Sequence, residues 1–439
     1  MRMLSAAGIY VVADLSEPSQ SINRAEPQWT IDLFDRYKAV IDNLAKYDNI
    51  IGFFAGNEVT NNASNTDASA FVKAAIRDSK KHIKDLGKDQ RWLGVGYAAN
   101  DDSEIRVAVA SYFNCGPKES TIDFWGYNLY SWCGENTLSG SGYDKQVDFF
   151  SNYSVPVFLA EYGCNVPNGA EGRLFQDTTA LYSNDMSKVF SGGIAYMYYQ
   201  EENDYGLVEI KDGKAETMKN YNILSSRVLK ATPSSTSAGS YDPTNTPASC
   251  PELSSSWVVN SKGLPPTPDR DLCECMHKSV SCAPSSRLNT SEYGEIFRFI
   301  CAESPSVCAG INTNTTTGVY GVYSMCNDTQ KLAYVMDAYY LDQKSVRSAC
   351  DYDGKAEVVS APSTAPSCKS KLDQAASSNA WAATATAAAT ASSGVAGSGN
   401  GQSFGIANHR VQNVFSFGDI GISLYLAVAT MIGGSMIML

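Results

Sequence analysis

The first half of the chain alternates short apolar runs with longer segments in which apolar residues recur every three or four positions. Apolar runs of this length are typical of buried strands, and the spaced segments are typical of amphipathic helices. Six such pairs succeed one another between residue 6 and about residue 230. The strand-like runs are GIYVVAD, NIIGFFAGN, RWLGVGYA, TIDFWGYN, VPVFLAE and SGGIAYMYY. Apolar strands separated by helices predict an α/β fold with a parallel sheet covered on both faces.

Doubly wound sheets and (β/α)8 TIM barrels share this pattern. No strand is followed by the glycine-rich motifs that bind phosphate in nucleotide-binding sheets, so the TIM barrel is favoured. A complete barrel has eight units, and six would leave strand edges without partners. We therefore expect the sequence to be N-terminally truncated, lacking about two units and a secretory leader, with Met1 as an internal or mis-assigned start. Residues 1–230 would form this partial barrel.

The composition changes after the barrel. Residues 231–249 are rich in Ser, Thr and Pro, which predicts a linker. Residues 250–368 hold nine of the twelve cysteines, and this density predicts a small disulfide-rich α+β module formed in an oxidising compartment. Zinc binding at Cys273 and Cys275 is the alternative, but no second close pair is found and the chain has only three histidines.

The end of the chain has the composition of a membrane-anchor signal. Residues 369–401 form a Ser/Ala-rich stalk, which we expect to be extended and open to O-glycosylation. Residues 402–439 end in eighteen uncharged, mostly apolar residues, and small residues precede them. This order predicts a glycosylphosphatidylinositol (GPI) anchor attached within Gly397 to Gly401. A tail-anchored transmembrane helix is the alternative.

Charge and composition exclude some partners. The net charge of -12 argues against a nucleic-acid partner, because a phosphate backbone requires clustered Lys and Arg. The few histidines give no ligand set for a metal, and we expect no cofactor. Twenty-five tyrosines suit stacking on sugars but equally suit ordinary cores. Five glycosylation sequons fit a secreted protein, at Asn62, Asn152, Asn289, Asn314 and Asn327.

Two glutamates lie where catalytic groups are expected. TIM barrels carry their catalytic residues at the carboxyl ends of strands. Glu58 comes directly after the second predicted strand, and Glu161 ends the fifth. With two units missing, these strands would be the fourth and the seventh. Glycosidic cleavage needs two carboxylates, one to protonate the leaving oxygen and one to attack or stabilise the sugar carbon. Taken singly, each glutamate is more commonly a capping or ion-paired residue.

Five segments together closely resemble the fungal GPI-anchored β-1,3-glucanosyltransferases of glycoside hydrolase family 72. The resemblance covers residues 6 to about 230, and the cysteine-rich segment resembles that family's carbohydrate-binding module of family 43. The segments are DLSEPSQSINR, FFAGNEVTNN, GYNLYSWCG, FLAEYGCN and SGGIAYMYYQEENDYGLV.

This resemblance implies a retaining reaction with Glu58 as acid/base and Glu161 as nucleophile. The enzyme would cleave a β-1,3-glucan donor and transfer the new end to a β-1,3-glucan acceptor, at the outer face of the plasma membrane or in the cell wall. Two other functions stay open: a hydrolytic β-1,3-glucanase, and a non-catalytic GPI-anchored wall protein that binds glucan.

The resemblance also implies substrate-binding residues. Asn57 would bond the sugar 2-hydroxyl, and Asp14 and Tyr130 would bind glucan. Tyr196 or Tyr198 would stack on a sugar; both would point to the same side of a strand, with core packing as the alternative.

The resemblance further implies how all twelve cysteines pair. The expected disulfides are Cys115–Cys250, Cys133–Cys164, Cys273–Cys326, Cys275–Cys368, Cys282–Cys350 and Cys301–Cys308.

Overall fold

The structure is a computed structural model that describes residues 1–360 and 366–392. It contains two compact units. Unit 1 consists of Met1–Leu15, Val40–Ser69 and Ile76–Trp257. Unit 2 consists of Ser16–Ala39, Ala70–Ala75 and the described residues from Val258 onward.

Unit 1 contains a six-stranded sheet in which every strand pairs in parallel with the next one along the chain. The strands are β1 Val11–Asp14, β2 Ile50–Asn57, β3 Gly94–Asn100, β4 Trp125–Leu129, β5 Val157–Tyr162 and β6 Phe190–Ala195. Each predicted strand is present. Strictly sequential, all-parallel pairing is the strand arrangement of a TIM barrel. It brings the carboxyl ends of all six strands to one edge, which we call the carboxyl edge.

Six helices come after strands at the predicted places, and α1 Arg2–Ala6, which precedes β1, was not predicted. The six are α2 Ile31–Leu44, α3 Ala68–Asp85, α4 Arg106–Asn114, α5 Tyr143–Phe150, α6 Gln176–Leu181 and α7 Lys219–Leu229. An antiparallel hairpin of β7 Val208–Lys211 and β8 Lys214–Thr217 precedes α7 and was not predicted. Asp212 and Gly213 form its turn with φ angles of 51° and 72°, the left-handed geometry that an Asp-Gly pair favours.

Three phenylalanine rings pack against one face of the sheet. The ring centroid of Phe124 lies 5.4 Å from that of Phe54 and 5.9 Å from that of Phe158. Glycines on the neighbouring strands leave room for these rings. A Cβ atom on Gly96 would lie 2.3 Å from a ring carbon of Phe124 and 2.6 Å from its backbone oxygen. A side chain at this position of β3 therefore requires the ring or the backbone to move.

Unit 2 has a small α+β core, as the cysteine-rich composition predicts. Its helices are α8 Arg270–Ser279, α9 Tyr293–Glu303, α10 Asp328–Asp342 and α11 Pro366–Ser392. Its strands are β9 Cys282–Pro284, β10 Thr313–Asn314, β11 Val319–Tyr320 and β12 Ala356–Val358. The antiparallel pairs are β9 with β12 and β10 with β11. One core packs α9 on α10, with Phe297, Ile300, Leu332 and Met336 almost fully buried.

Six disulfides cross-link the chain, and they are the pairs that the family resemblance implies. They join Cys115 to Cys250, Cys133 to Cys164, Cys273 to Cys326, Cys275 to Cys368, Cys282 to Cys350 and Cys301 to Cys308. Four of them lie within unit 2, whose apolar core is small, so covalent links replace part of the missing hydrophobic stabilisation.

The units do not match the boundary expected from composition, because two segments before residue 230 belong to unit 2. Ile31 lies in an apolar core with Cys273 and Met276 of α8. Arg270 of α8 forms ion pairs of 2.9 Å with Asp32 and 2.5 Å with Asp35. The change in composition after residue 230 marks where the barrel-like pattern of strands and helices ends. It does not show which segments before residue 230 pack against the cysteine-rich part of the chain.

The expectation of an extended stalk is wrong for residues 369–392, which lie within helix α11. Alanine is the best helix former, so an Ala-rich sequence gains helical structure once a few side chains pack. Ala375 and Ala382 are 3% and 2% exposed. Of the helices in the described part of the chain, none has the length and apolar character needed to cross a bilayer. The predicted GPI signal at residues 402–439 lies outside the described residues.

We expect Gly96→Ala to lower the free energy of unfolding by roughly 1–3 kcal/mol, because the new methyl group overpacks against Phe124. Gly239→Ala is the control, since a Cβ atom there would meet nothing within 4 Å. Chemical denaturation followed by tryptophan fluorescence measures both variants. Equal stability of the two would show that β3 has space for a side chain.

Candidate active site

The carboxyl edge of the sheet brings Glu58 and Glu161 into one polar cluster. Glu58 comes directly after β2, and Glu161 lies in β5, where its register partner is Asn128 of β4. The Asn128 side-chain amide donates to Glu58 Oε1 at 2.9 Å and to Asn57 Oδ1 at 3.0 Å. Asn57 in turn hydrogen-bonds to Glu161. The two carboxylates are therefore linked through two asparagines.

The backbone at Glu58 has a conformation that few side chains adopt. Its φ angle is 50°, in the left-handed region, which costs of order 1–3 kcal/mol for a non-glycine residue. Neighbouring hydrogen bonds hold it there. The Glu58 backbone N–H donates to Ala98 O at 2.9 Å, and the Thr60 N–H donates to the Tyr97 hydroxyl at 3.0 Å. This turn directs the Glu58 side chain to Asn128 at the carboxyl edge.

Glu161 is half-buried and accepts a 2.7 Å hydrogen bond from the Tyr130 hydroxyl. Burial raises the pKa of the Glu161 carboxyl, and the negative charges of Glu58 and Asp14 raise it further. Hydrogen bonds from Tyr130 and Asn57 act in the opposite direction, but the net effect is a raised pKa. The electrostatic influence of Asp14 and Glu58 on Glu161 shows that the three carboxyl groups share one environment.

Three tyrosines form an aromatic cluster beside Glu161. The ring centroids of Tyr130, Tyr196 and Tyr205 are 5.4 to 6.3 Å apart. All three rings are half-buried, so part of each surface remains available. Burial and the charge of Glu161 raise the pKa of Tyr196, which places its ring near the carboxylate. The hydroxyl of Tyr130 also has a raised pKa, so it stays protonated and acts as a donor.

The structure does not bring Tyr198 into this cluster. Its ring is 54% exposed and packs against Tyr199 at 4.9 Å. The expectation that Tyr196 and Tyr198 point to the same side relied on a continuing strand. Strand β6 ends at Ala195, so the alternation of side chains does not extend to these residues.

This arrangement can serve acid/base and nucleophilic chemistry. Two carboxylates lie in one site with amide and hydroxyl donors around them, and three half-buried aromatic rings adjoin them. Among the residues that the structure describes, no group of three or more His, Cys, Asp or Glu could hold a metal ion.

Comparison with known proteins shows which family this chain belongs to. Residues 1–232 match the family model of the glucanosyltransferases, glycoside hydrolase family 72. The 1,3-beta-glucanosyltransferase of Arthroderma benhamiae is 46% identical over 442 residues, which cover 100% of this chain and 78% of the relative. This chain belongs to the glucanosyltransferase family.

Other glucanosyltransferases agree in sequence and fold. The Schizosaccharomyces pombe 1,3-beta-glucanosyltransferase gas1 is 42% identical over 380 residues, covering 86% of this chain and 68% of the relative. The structure of Saccharomyces cerevisiae Gas2p with laminaritriose and laminaritetraose superposes with a TM-score of 0.73 at 40% identity. That match covers 81% of this chain and 80% of Gas2p, and it confirms the predicted fold class.

Residues 280–357 of this glucanosyltransferase match the X8 domain. The matched residues lie within unit 2 and within the predicted module of residues 250–368. The cysteine-rich part of the chain is therefore a recognised domain type.

Sequence reasoning assigned no role to two residues of the site, Asn128 and Tyr205. Asn128 is 3% exposed and lies one residue before the end of β4, so its position at a strand end was the available signal. Tyr205 lies in the loop between β6 and β7, where no periodicity predicts the direction of a side chain. Only the folded loop shows that its ring lies against Tyr130 and Tyr196.

We expect Tyr130→Phe to raise the pKa of Glu161 further, because the lost hydroxyl bond favours the ionised form of the carboxylate. Carboxyl titration by NMR with labelled glutamate measures the change. Tyr153→Phe is the control, since its hydroxyl donates to the Ala110 carbonyl and not to a carboxylate. An unchanged Glu161 pKa in Tyr130→Phe would show that the Tyr130 hydrogen bond does not stabilise the ionised carboxylate.

Proposed function

We propose that this chain is a retaining β-1,3-glucanosyltransferase with Glu161 as nucleophile and Glu58 as acid/base. The observation that carries the proposal is the polar cluster in which Asn128 and Asn57 link the two glutamates at the carboxyl edge. Family membership supports the reaction class. The Tyr130 hydrogen bond favours the ionised form of Glu161 that a nucleophile needs and so opposes burial, which raises the pKa of this carboxyl. The Asn128 amide holds the Glu58 side chain in position.

In the first step, a Glu161 carboxylate oxygen attacks the sugar carbon and forms an ester as the glycosidic bond breaks. Glu58 gives its proton to the leaving oxygen, so the departing chain leaves as a neutral sugar. The Tyr130 hydroxyl bond weakens as the charge of Glu161 is lost to the ester. Asn57 is 3.0 Å from the Asn128 amide and lies beside Glu161, where it can bond the 2-hydroxyl of the sugar.

In the second step, the 3-hydroxyl of a second glucan attacks the sugar carbon of the ester, and the bond from that carbon to the Glu161 oxygen breaks. Glu58, now a carboxylate, takes the hydroxyl proton as the new bond forms and Glu161 leaves. Transfer requires the acceptor to arrive before water. The half-buried rings of Tyr196 and Tyr205 offer apolar faces next to Glu161 on which a sugar can stack, and a bound sugar excludes water.

The substrate class is β-1,3-glucan, both as donor and as acceptor. Gas2p is solved with laminaritriose and laminaritetraose, and the A. benhamiae and S. pombe relatives are named 1,3-beta-glucanosyltransferases. Asp14 ends β1 at the carboxyl edge and its charge reaches Glu161, which supports a role in binding sugar hydroxyls. Barrel residues 1–230 would carry the chemistry, and the cysteine-rich module after the linker would support binding or folding.

A GPI anchor would place this activity at the outer face of the plasma membrane, facing the cell wall. The support is the order of small residues at Gly397 to Gly401, a polar spacer and the apolar run of residues 422–439. Six disulfides agree with an extracellular location.

Substitution of either catalytic carboxylate tests the proposed roles. We expect Glu161→Gln to lower donor consumption roughly 10³-fold or more. We expect Glu58→Gln to lower it roughly 10²- to 10⁴-fold, the range for general acid–base catalysis. The control is Glu119→Gln, an exposed glutamate in the connection that leads from α4 to the amino end of β4. Reduced β-1,3-gluco-oligosaccharides are the substrate, and chromatography separates the products.

The product lengths distinguish the rival functions. Products longer than the substrate identify a transferase, and only shorter products identify a glucanase. Wild-type protein that binds glucan but forms no product would identify a wall protein without catalysis. Full activity of Glu58→Gln or Glu161→Gln would contradict the assigned roles.

Phosphatidylinositol-specific phospholipase C tests the anchor. We expect the enzyme to release the protein from fungal membranes into the soluble fraction, because it cleaves the lipid from the glycan. Protein that stays in the membrane after treatment, but enters detergent, would instead identify a transmembrane helix. An immunoblot of both fractions gives the result.

A further inference from the structure

A buried arginine outside the carboxylate cluster holds the loops that carry the tyrosines. Arg173 lies between β5 and α6 and is 3% exposed. Its guanidinium donates to backbone carbonyl groups on several separate segments. The acceptors are Ala170 O at 3.4 Å, Gly163 O at 3.4 Å, Tyr196 O at 2.6 Å, Gly206 O at 3.0 Å and Tyr205 O.

Each of these segments leads to the site. Gly163 lies just after β5, two residues beyond Glu161, and Tyr196 is the first residue after β6. Tyr205 and Gly206 lie in the loop that returns toward β7. The arginine therefore joins the backbone of Tyr196 and Tyr205 to the end of the strand that carries Glu161. Its guanidinium carbon also lies 5.9 Å from the Tyr205 ring centroid.

The charge of Arg173 suits this role. Burial lowers its pKa to about 10, so the group is still cationic at neutral pH. A cation at this depth needs strong compensation. The carbonyl dipoles supply part of it, and the negative charges of Asp177 and Asp204 favour the cation as well. Removal of the guanidinium leaves several buried carbonyl oxygens without that donor, which favours rearrangement of the loop.

Other bonds brace the same loop, so it has a defined shape for Arg173 to hold. Asp204 accepts from Gln200 Nε2 at 2.6 Å and from the Ala170 N–H at 3.2 Å. The Gly206 N–H donates to Gln200 Oε1 at 2.6 Å, and Asn220 donates to Gly206 O at 2.8 Å. Two of these bonds lie within the segment from residue 200 to 206, and the other two join it to Ala170 and Asn220. Arg173 connects it to Tyr196 and to Gly163. Two further bonds reach the residues after β6: the Asn203 amide donates to the Tyr196 hydroxyl at 3.3 Å, and the Met197 N–H donates to Tyr205 O at 3.0 Å.

We propose that Arg173 is a positioning residue that fixes the Tyr196 and Tyr205 rings for the acceptor sugar and so sets the ratio of transfer to hydrolysis. This inference rests on the proposed glucanosyltransferase function. Glu58 and Glu161 depend less on Arg173, since Asn128, Asn57 and Tyr130 hold their side chains. Loss of the guanidinium should therefore affect capture of the acceptor more than cleavage of the donor.

The test compares Arg173→Lys and Arg173→Gln with wild type, using a reduced β-1,3-gluco-oligosaccharide donor and a fluorescent β-1,3-gluco-oligosaccharide acceptor. We expect both variants to raise the acceptor KM and lower the transfer-to-hydrolysis ratio about three- to tenfold, the scale of a lost aromatic contact. Donor consumption should fall less than about threefold in Arg173→Lys, which keeps the charge but not the forked donors. The KM of the donor should change less than that of the acceptor.

Arg106→Gln is the matched control. Arg106 is half-buried in the same unit and bonds to the Asp101 carboxylate rather than to the loops of the tyrosine cluster. We expect it to lower thermal stability without changing the transfer-to-hydrolysis ratio. If Arg106→Gln changes the transfer-to-hydrolysis ratio as much as the Arg173 variants do, then general destabilisation explains the effect. That result would overturn the inference.

Hydrogen exchange followed by mass spectrometry gives a readout that does not depend on activity. We expect faster exchange in peptides covering residues 196–206 of Arg173→Lys, with little change in peptides covering β2. If Arg173→Gln does not fold, Arg173→Lys decides the question alone. Unchanged acceptor KM and unchanged exchange in Arg173→Lys would overturn the inference. Absence of longer products from wild type would instead reject the proposed function, so the two failures are separate.

Discussion

The site depends on holding several carboxyl groups close together in one partly buried cluster. Glu58 and Asp14 both raise the pKa of Glu161, because their negative charges oppose its ionisation. Neutral donors offset this repulsion: the Asn128 amide bonds Glu58, and the Tyr130 hydroxyl bonds Glu161. A lysine or arginine in their place would stabilise both carboxylates as permanent ions. Amide and hydroxyl donors leave each group able to gain or lose a proton.

The parallel sheet makes this cluster from distant parts of the chain. Asn57 and Asn128 are about seventy residues apart in the chain, and Asn128 and Glu161 are about thirty apart. Each of the three lies at or near the carboxyl end of its strand. Strand register then aligns Asn128 with Glu161. The strands fix the backbone of these residues, whereas the tyrosine cluster depends on loops. Two kinds of hydrogen bond therefore position the site. Bonds between strands fix the backbone of the carboxylate cluster, and bonds from Arg173 fix the backbone of the loops that carry the aromatic rings.

The sequence predicted the elements that have a regular pattern of apolar residues. It did not predict features that depend on the course of a loop or on contacts with a distant segment. All six strands were predicted, because buried parallel strands are continuous apolar runs. Glu58 and Glu161 were found from strand-end positions, although their roles came from the family resemblance. Tyr198 was expected beside Tyr196, but a strand pattern cannot show that β6 ends at Ala195. The α11 helix was missed because low complexity was taken to mean an extended chain.

The disulfide between Cys115 and Cys250 spans 135 residues and encloses the whole Ser/Thr/Pro-rich linker of residues 231–249. Asn245 within that linker also donates to the carbonyl oxygens of Ser151 and Tyr153. A protease that cuts the exposed linker therefore does not release the C-terminal part of the chain. The two fragments stay joined through sulfur, and they separate on a gel only after a reductant is added. In the protease-rich space outside a cell, a nicked molecule of this kind remains one covalent particle.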